Sequence, residues 1–325
     1  MRKPLEGIHH VTAMASDPQA NVDFYTGALG LRLVKRTVNF DDPSTYHLYY
    51  GDEVGHPGTI LTFFPWPGAR RGVQGAGQAT VTSFSVPQDS LGYWTHRLSS
   101  FGVAHEDPHP RFDEEVLTLL DPDGLRLELV AQAGDPRAPW EGGPVPAEHA
   151  VRGFDGVTLT EWNSHVTENL LAGTLGFRRS AEHGDRIRFE LGEGGPGARV
   201  DVLGAPSAVR GHVSAGTVHH VAWRSVDEPD QLAWREAVAE AGVYVTPVLD
   251  RQYFRSIYFR EPGGVLFEIA TDPPGFTRDE SVESLGTALT LPPWLEPTRQ
   301  QIEEVLPPIE VRPLALKAET AEGGR

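Results

Sequence analysis

The sequence predicts an α+β protein built from four βαβββ modules, arranged as two pseudo-repeated halves. Two internal alignments indicate this organisation. Residues 7–32 (GIHHVTAMASDPQANVDFYTGALGLR) align without a gap with residues 153–178 (GFDGVTLTEWNSHVTENLLAGTLGFR), at an offset of 146. Residues 79–86 (ATVTSFSV) align with residues 216–223 (GTVHHVAW), at an offset of 137. Self-similarity at a fixed spacing is the mark of a repeated structural unit, so the first module recurs as the third and the second as the fourth.

Each module is expected to begin with a short strand and to continue with a helix and three further strands. The opening runs are IHHVTAM, VTSFSV, VTLT and VHHVAW, and helical patterns such as NVDFYTGAL and QLAWREAVAEAG follow. In the last of these helices one apolar face is predicted, formed by Leu232, Ala233, Val238 and Ala241. Glycines after the helical patterns are typical of helix C-termini. The turns D-P-D-G and E-P-G-G, 140 residues apart, indicate hairpins before the closing strands of the second and fourth modules.

The modules divide the chain into four predicted segments. Residues 1–132 form the N-terminal half, and residues 133–150, which contain the Pro/Gly-rich stretch AGDPRAPWEGGPVP, form a linker. Residues 151–275 form the C-terminal half. Residues 276–325 are expected to be an extension that packs on the body of the protein, with a flexible end from about Leu314.

Composition excludes several classes of function. The 325 residues include no cysteine, which excludes disulfides, thiolate metal sites and cysteine nucleophiles. The net charge of −17, without a cluster of basic residues, argues against a nucleic-acid partner and against docking on an anionic membrane. No apolar run approaches the length of a membrane span, and the N-terminus lacks the apolar stretch of a signal peptide. We therefore expect a cytoplasmic enzyme.

Two His-His pairs, His9–His10 and His219–His220, lie on the predicted first strands of two modules. Adjacent residues of a strand point to opposite faces, so one member of each pair can face a shared interior. The second members, His10 and His220, are the better candidates, because they are in phase with the small residues at positions 12 and 222. We expect His9 and His219 to point away from the metal, in a packing or supporting role.

Glu268 lies in the otherwise apolar strand GGVLFEIAT, where a carboxylate requires a cationic partner or a metal ion. Two imidazoles and one carboxylate form the facial triad of non-haem Fe(II) sites, which leaves coordination positions open. The repeat offsets place Gly156, Ser83 and Glu128 at the positions equivalent to His10, His220 and Glu268. That second set cannot hold a metal ion in the same way, so the repeat predicts one site, built by both halves.

The H-H-V-T and H-H-V-A strands, the four modules and the closing L-F-E-I strand resemble the glyoxalase/bleomycin-resistance/extradiol-dioxygenase superfamily, also called the vicinal oxygen chelate superfamily. The resemblance covers residues 5–275 and is specific at these motifs. Within the superfamily the chain resembles ring-cleaving dioxygenases that act on hydroquinones, such as dichlorohydroquinone dioxygenases. This resemblance implies an Fe(II) site, with Mn(II) as the alternative, on His10, His220 and Glu268. Catechol-cleaving relatives take a ligand from the start of the third module, where this chain has Gly156.

The same resemblance implies five further site residues, which match polar positions around the metal of the hydroquinone enzymes: Thr12, His9, His219, Arg251 and Tyr258. Arg251 and Tyr258 belong to DRQYFRSIYFREPGG, immediately before the strand of Glu268. The remaining histidines are scattered along the chain and are expected to be solvated. The partners implied are a small aromatic substrate and O₂, and the chain is compatible with a homo-oligomer.

The resulting prediction is an Fe(II)-dependent, extradiol-type ring-cleaving dioxygenase of a hydroquinone-like or other dihydroxylated aromatic compound. Two alternatives remain open at this point. A glyoxalase-type isomerase or lyase shares the fold but usually recruits a fourth protein ligand, and the candidate strand TILTFFPW has no carboxylate. A metal-free binding protein of the bleomycin-resistance type would lack the triad. The chain has no G-x-S-x-G motif and no nucleotide-binding glycine motif, so neither a serine hydrolase nor a nucleotide cofactor is indicated.

Overall fold

The computed structural model of the chain describes residues 2–311. Met1 and residues 312–325 lie outside the described residues, and the predicted flexible end from about Leu314 falls in that part. Within residues 2–311, no helix has both the length and the apolar character needed to cross a bilayer.

Both modules of the N-terminal half have the predicted βαβββ order. The first module contains β1 (Ile8–Ala15), α1 (Pro18–Val22, continued by a π-helical segment, Asp23–Ala28), β2 (Arg32–Asn39), β3 (Asp42–Gly51) and β4 (Ile60–Pro65). The second contains β5 (Gln78–Pro87), α2 (Leu91–Ser100), β6 (His109–Arg111), β7 (Glu114–Leu120) and β8 (Arg126–Gln132). Helix α1 begins after Asp17, whose carboxylate accepts the amide protons of residues 19 and 20.

The C-terminal half repeats the same order. The third module contains β9 (Gly153–Glu161), α3 (Ser164–Gly173), β10 (Arg178–His183), β11 (Arg186–Glu190) and β12 (Arg199–Gly204). The fourth contains β13 (Val218–Ser225), α4 (Glu228–Glu240), β14 (Leu249–Asp250), β15 (Arg255–Arg260) and β16 (Leu266–Thr271). A short helix, α5 (Arg299–Val305), lies in the C-terminal extension. The predicted architecture of four βαβββ modules is confirmed.

The modules combine into two eight-stranded sheets, and each sheet takes one module from each half. The first sheet has the order β14-β15-β16-β13-β1-β4-β3-β2, which joins the fourth module to the first. The second has the order β10-β11-β12-β9-β5-β8-β7-β6, which joins the third module to the second. At the centre of each sheet two opening strands pair antiparallel, β1 with β13 and β9 with β5. The two strands that carry the His-His pairs, β1 and β13, are therefore neighbours because the first module shares a sheet with the fourth module rather than with the second.

Strand pairing also gives the correspondence between modules, and it corrects one sequence alignment. Two residues have equivalent partners in their sheets: Ala222 pairs with His10 and Glu268, and Ser83 pairs with Gly156 and Glu128. Ser83 is therefore the counterpart of Ala222, and Val81 is the counterpart of His220. The gapless alignment was wrong by two residues. Because side chains alternate every two residues along a strand, a slip of two keeps the apolar pattern intact and is invisible in sequence.

The apolar face predicted for α4 is also partly wrong. The helix buries Gln231, Trp234 and Val238, whereas Leu232 is exposed. The side-chain amide of Gln231 donates hydrogen bonds to the carbonyl oxygens of Arg255 and Ile269, at 2.7 Å each. A polar residue thus occupies the buried face because it satisfies backbone groups of the sheet beneath the helix.

The described part of the C-terminal extension packs on the first sheet. Its Phe276 ring lies 5.0 Å from the ring of Tyr49 on β3, centroid to centroid. The fully buried ammonium of Lys35 on β2 pairs with Asp279, at 2.7 Å, and with Glu280. A buried ammonium must be paired, so this contact fixes the extension against the outer strands of the first sheet.

A buried ionic network fills the centre of the second sheet. The guanidinium of Arg111 lies 2.6 Å from Glu128 Oε2, which also accepts the hydroxyl proton of Ser83 at 2.7 Å. Arg188 holds Asp201 in the same way, at 2.8 Å. Glu128, the counterpart of Glu268 in the second module, is thus a carboxylate whose charge is neutralised by Arg111.

A carboxyl pair near the end of the second sheet predicts a pH-dependent stability. Glu161, at the end of β9, is buried against Glu261 of the β15–β16 turn, and burial together with this second carboxylate raises the pKa of Glu161 to about 8. Between its ordinary pKa and about 8, the native chain holds a proton that the unfolded chain has lost. The free energy of unfolding therefore falls as pH rises through this range, by at most about 1.4 kcal/mol per pH unit.

Glu161→Gln is expected to flatten this dependence, which urea unfolding at pH 5.5, 7 and 8.5 would measure. The exposed Glu182→Gln serves as the control and should keep the slope of the original chain. Parallel stability profiles for the original chain and Glu161→Gln would show that the carboxyl pair does not share a proton.

Candidate metal centre

The three predicted ligands meet at the centre of the first sheet. His10 lies on β1, His220 on β13 and Glu268 on β16, and all three are buried. The Nε2 atoms of the two histidines are 3.2 Å apart. Glu268 Oε2 lies 3.3 Å from Nε2 of His10 and 3.0 Å from Nε2 of His220. These are the only three His, Asp or Glu side chains within residues 2–311 that converge closely enough to hold a metal ion.

The other ring nitrogen of each histidine is occupied by the preceding histidine of its pair. Nδ1 of His10 lies 2.9 Å from Nδ1 of His9, and Nδ1 of His220 lies 2.8 Å from Nδ1 of His219. If His10 and His220 donate their Nδ1 protons in these contacts, both Nε2 atoms are left with a free lone pair. The expectation that His9 and His219 point away is therefore only partly met, since both rings touch the inner histidines and His219 also lines the adjacent cavity.

Electrostatics favour an ionised Glu268 carboxylate at this centre. Burial alone would raise the pKa of Glu268, but its electrostatic interactions with His10 and His220 outweigh burial and hold the pKa well below its ordinary value. Burial lowers the pKa of His220, and the contact with Glu268 offsets this effect only in part. Ser256 on β15 orients the carboxylate by donating to Glu268 Oε1, at 2.5 Å.

The three side chains fit a divalent cation. Glu268 Oε2 is fully buried and receives no hydrogen bond from the described residues, although it faces the two imidazole nitrogens. Ligand atoms about 2.1 Å from a first-row metal ion and at right angles to each other are about 3.0 Å apart. The observed separations of 3.0, 3.2 and 3.3 Å are close to that value. The orphaned oxygen and the spacing are what a facial triad requires.

A cavity of about 320 Å³ opens beside the two histidines. Its apolar wall consists of Phe40, Phe64, Phe254 and Leu266. The cavity therefore offers a largely apolar space next to two of the three candidate metal ligands, His10 and His220.

Arg251 and Tyr258, which the family resemblance implied as site residues, both line this cavity. Nε of Arg251 donates to the Tyr258 hydroxyl at 3.2 Å, and the Tyr258 ring packs edge-on against His220, with centroids 5.6 Å apart. Burial raises the pKa of Tyr258, with a further contribution from Glu268, so its hydroxyl keeps its proton as a donor. Burial alone would lower the pKa of Arg251, but the contacts with Tyr258 and Asp41 raise it overall.

Thr12 is buried under the site and belongs to a hydrogen-bonded chain that sequence reasoning missed. Its Oγ1 contacts Thr62 Oγ1 at 2.9 Å, and Thr62 Oγ1 contacts Nε2 of His47 at 2.8 Å. Nδ1 of His47 contacts the Tyr49 hydroxyl at 2.8 Å. His47, expected to be solvated, instead lines the cavity with Tyr49. The H-L-Y alternation on β3 was the available signal, because it places both polar side chains on the interior face of the sheet.

Strand register identifies the position at which a fourth protein ligand would lie. Thr62 pairs with Thr12 on β1 as Glu268 pairs with Ala222 on β13. Since the first and fourth modules are related through His10 and His220, Thr62 is the counterpart of Glu268. A hydroxyl that is engaged with His47 and Thr12 stands there instead of a carboxylate. Among the described residues, the centre consequently has three candidate protein ligands, and the position of a fourth carries no carboxylate.

Comparison with known proteins agrees with this architecture. A profile of the Glyoxalase/Bleomycin resistance protein/Dioxygenase superfamily matches residues 7–129 and 169–269. A Bacillus subtilis (strain 168) protein named "Putative ring-cleaving dioxygenase MhqO" is 50% identical over 314 residues, which are 97% of this chain and 100% of the relative. The "Chlorohydroquinone/hydroquinone 1,2-dioxygenase" of Sphingobium indicum is 35% identical over 307 residues, 92% of this chain and 95% of that protein.

Solved structures give the same assignment. A Bacillus subtilis crystal structure with 50% sequence identity has a TM-score of 0.92 and covers 96% of this chain and 100% of its own. Glyoxalase I from Zea mays, 16% identical, has a TM-score of 0.60 over 82% of this chain and 92% of its own, which shows the shared fold. The chain belongs to the Glyoxalase/Bleomycin resistance protein/Dioxygenase superfamily, where its relatives are named ring-cleaving dioxygenases.

Proposed function

We propose that this chain is an Fe(II)-dependent, extradiol-type ring-cleaving dioxygenase whose substrates are hydroquinone-like dihydroxylated aromatic compounds. The observation that carries the proposal is the open triad of His10, His220 and Glu268 beside a cavity with an aromatic wall. Two histidines and one carboxylate are the ligand set of non-haem Fe(II) oxygenases, and Mn(II) is the alternative ion. The name of the Sphingobium relative supports hydroquinones as the substrate class.

The bound metal ion would supply the redox chemistry with O₂ that ring opening requires. The side chains of this chain bind and orient the substrate. Phe64 and Phe254 exclude water from the faces of the ring, and Tyr258, which retains its proton, can donate a hydrogen bond to a substrate oxygen as negative charge develops there. Arg251 supports the same charge from behind Tyr258. His9 and His219 orient the two metal-binding rings through their Nδ1 atoms.

Oxygen consumption tests the proposal. The protein is loaded anaerobically with Fe(II) and presented to an oxygen electrode with hydroquinone, chlorohydroquinone, methylhydroquinone and catechol. Uptake of one O₂ per ring, with loss of the aromatic absorbance, is the expected result for the hydroquinones. Stoichiometric iron binding without O₂ uptake on any of these rings would contradict the assignment.

The glyoxalase-type isomerase is the second candidate, and Thr62 separates the two. Thr62→Glu would place a carboxylate opposite Glu268 and complete a four-ligand set. We expect this variant to retain metal against a chelator at least about tenfold better, because each added charged ligand strengthens the site, and to lose O₂ uptake, because an open position is filled. Metal retention by competition with a chromogenic chelator and O₂ uptake are the two measurements.

Thr62→Val is the control, since it removes the hydroxyl without adding a ligand and should leave metal retention unchanged. Unaltered metal retention in Thr62→Glu would mean that residue 62 does not face the metal. Turnover of a hemithioacetal by the original chain, without O₂ uptake, would favour the isomerase.

A further inference from the structure

One arginine connects the interior of the cavity to its rim. The guanidinium of Arg251 donates from Nε to the Tyr258 hydroxyl, at 3.2 Å, and its terminal Nη2 pairs with Asp41 Oδ2, at 3.0 Å. The Arg251 side chain is only 18% exposed, whereas that of Asp41 is 71% exposed. Among the described residues, Asp41 is the only carboxylate that forms an ion pair with Arg251. The cation is therefore fixed in the cavity wall, and its carboxylate partner lies in solvent.

Asp41 is held at the rim by the β2–β3 turn. The amide of Asp41 donates to the side-chain oxygen of Asn39, at 3.0 Å, and the ring of Phe40 packs edge-on against Trp294 of the C-terminal extension, with centroids 5.6 Å apart. All three turn residues line the cavity. Because the backbone of the turn is fixed by these contacts, the Asp41 carboxylate can leave Arg251 by side-chain rotation alone, without opening the cavity.

Arg251 is the only arginine or lysine that lines the cavity in the part of the chain that the structure describes. Besides the metal ion of the proposed function, it is therefore the only permanently charged cationic group that an anionic ligand would meet there. A neutral dihydroxylated ring has no charge with which to displace Asp41. A ligand that carries a carboxylate can take its place, because guanidinium and carboxylate groups pair in the same geometry whichever molecule supplies the carboxylate.

We propose that Asp41 is an internal competitor that makes the cavity favour neutral rings over carboxylate-bearing ligands, and so promotes release of the ring-opened product. The inference rests on the proposed function. Extradiol-type cleavage adds both atoms of O₂ to C₆H₆O₂ and breaks the bond between a hydroxylated carbon and its neighbour. The product, C₆H₆O₄, has one carboxylic acid and one aldehyde, and the acid gives its proton to water at neutral pH. Asp41 competes with this new carboxylate for Arg251.

Binding of two matched probes tests the proposal without turnover. The probes are 4-hydroxybenzoate, which is anionic, and 4-hydroxybenzaldehyde, which has the same ring and no carboxylate. Each is titrated calorimetrically, in the absence of O₂, into the metal-loaded original chain and into Asp41→Asn. We expect Asp41→Asn to bind 4-hydroxybenzoate about two- to fivefold more tightly, the upper part of the range for loss of a mostly exposed ion pair, and the aldehyde with the original affinity.

Asp42→Asn is the matched control, because it removes the same charge from the adjacent residue, whose carboxylate contacts Ser44 and Trp66 rather than Arg251. It should leave both affinities unchanged. Arg251→Gln should bind both probes with similar affinity. If Asp41→Asn and Asp42→Asn both bind 4-hydroxybenzoate more tightly and to the same extent, the proposal is overturned, because loss of any nearby negative charge would then explain the effect. Equal weakening of both probes in Asp41→Asn, or no binding of 4-hydroxybenzoate to any variant, would also overturn it.

These outcomes are independent of the reaction. A chain that binds the probes as expected but consumes no O₂ would contradict the dioxygenase assignment and leave the role of Asp41 intact. A chain that consumes O₂ with hydroquinones would support the dioxygenase assignment. If its Asp41→Asn variant then binds the two probes with the same relative affinities as the original chain, the role of Asp41 is contradicted. In an active enzyme, Asp41→Asn should also show stronger inhibition by accumulated product, with little change in KM for the neutral substrate.

Discussion

His10→Ala is expected to abolish both metal binding and O₂ uptake. The substitution removes one of three protein ligands and leaves His220 and Glu268 with two, too few to hold a labile divalent ion in an open site. Loss of a residue that merely supports a ligand costs about 10- to 100-fold in metal affinity, so loss of a ligand itself should exceed about 100-fold. Metal content after gel filtration and the rate in the oxygen electrode are the measurements.

His165→Ala is the control for this experiment, because that side chain is 83% exposed and lies far along the chain on α3. It should retain both metal and activity. His9→Ala tests whether His10, rather than His9, is the residue of β1 whose side chain faces the metal. It should weaken metal binding through the lost Nδ1 contact but not eliminate it. Complete loss of metal in His9→Ala, with retention in His10→Ala, would show that the outer histidine is the ligand.

Arg111→Met is expected to destabilise the fold by about 3–5 kcal/mol, the typical cost of leaving one member of a buried ion pair without its partner. Arg111 and Glu128 are both almost entirely buried in the second sheet, and their atoms lie 2.6 Å apart. Among the described residues, the Ser83 hydroxyl would then be the only side-chain group still donating to Glu128. Chemical denaturation with urea measures the change.

The double variant Arg111→Met/Glu128→Gln should recover much of this loss, since the amide is neutral and still accepts from Ser83. Arg179→Met provides a surface control. Its partner Glu182 and the arginine are each about half exposed, so the expected change is below about 1 kcal/mol. If Arg111→Met lowers the free energy of unfolding by no more than Arg179→Met does, the buried network does not stabilise the second sheet. The folded fraction should keep its metal affinity, because the candidate metal centre lies in the other sheet.

The repeat and the chemistry of two residue types, histidine and glutamate, determined the main outline of this protein. Alternating strands, helix caps and two turn motifs predicted four βαβββ modules, because local patterns of polarity fix which face of each element is buried. The two His-His pairs and the lone Glu268 predicted the centre, since a carboxylate in an apolar strand is costly unless a cation lies beside it. These inferences need only short stretches of sequence.

What lay beyond sequence depended on the register between distant strands. Sequence alignment gave Ser83 as the counterpart of His220, whereas strand pairing gives Val81. A slip of two residues leaves the alternating pattern of side chains unchanged, so only the pairing of the backbones reveals it. His47 was expected to be solvated, and only the pairing of β3 with β4 places it against Thr62.

Tertiary structure also decided how the site is bounded. The contact of Asp41 with Arg251 joins residues 210 positions apart in the chain, and their separation in sequence carries no information about it. The ion pair of Arg111 with Glu128, buried in the second sheet, was likewise visible only in the tertiary structure. Sequence specified the residue types of the candidate metal centre and the faces they occupy. The pairing of the first module with the fourth brought those faces together, because neither half alone contains both histidines and the glutamate.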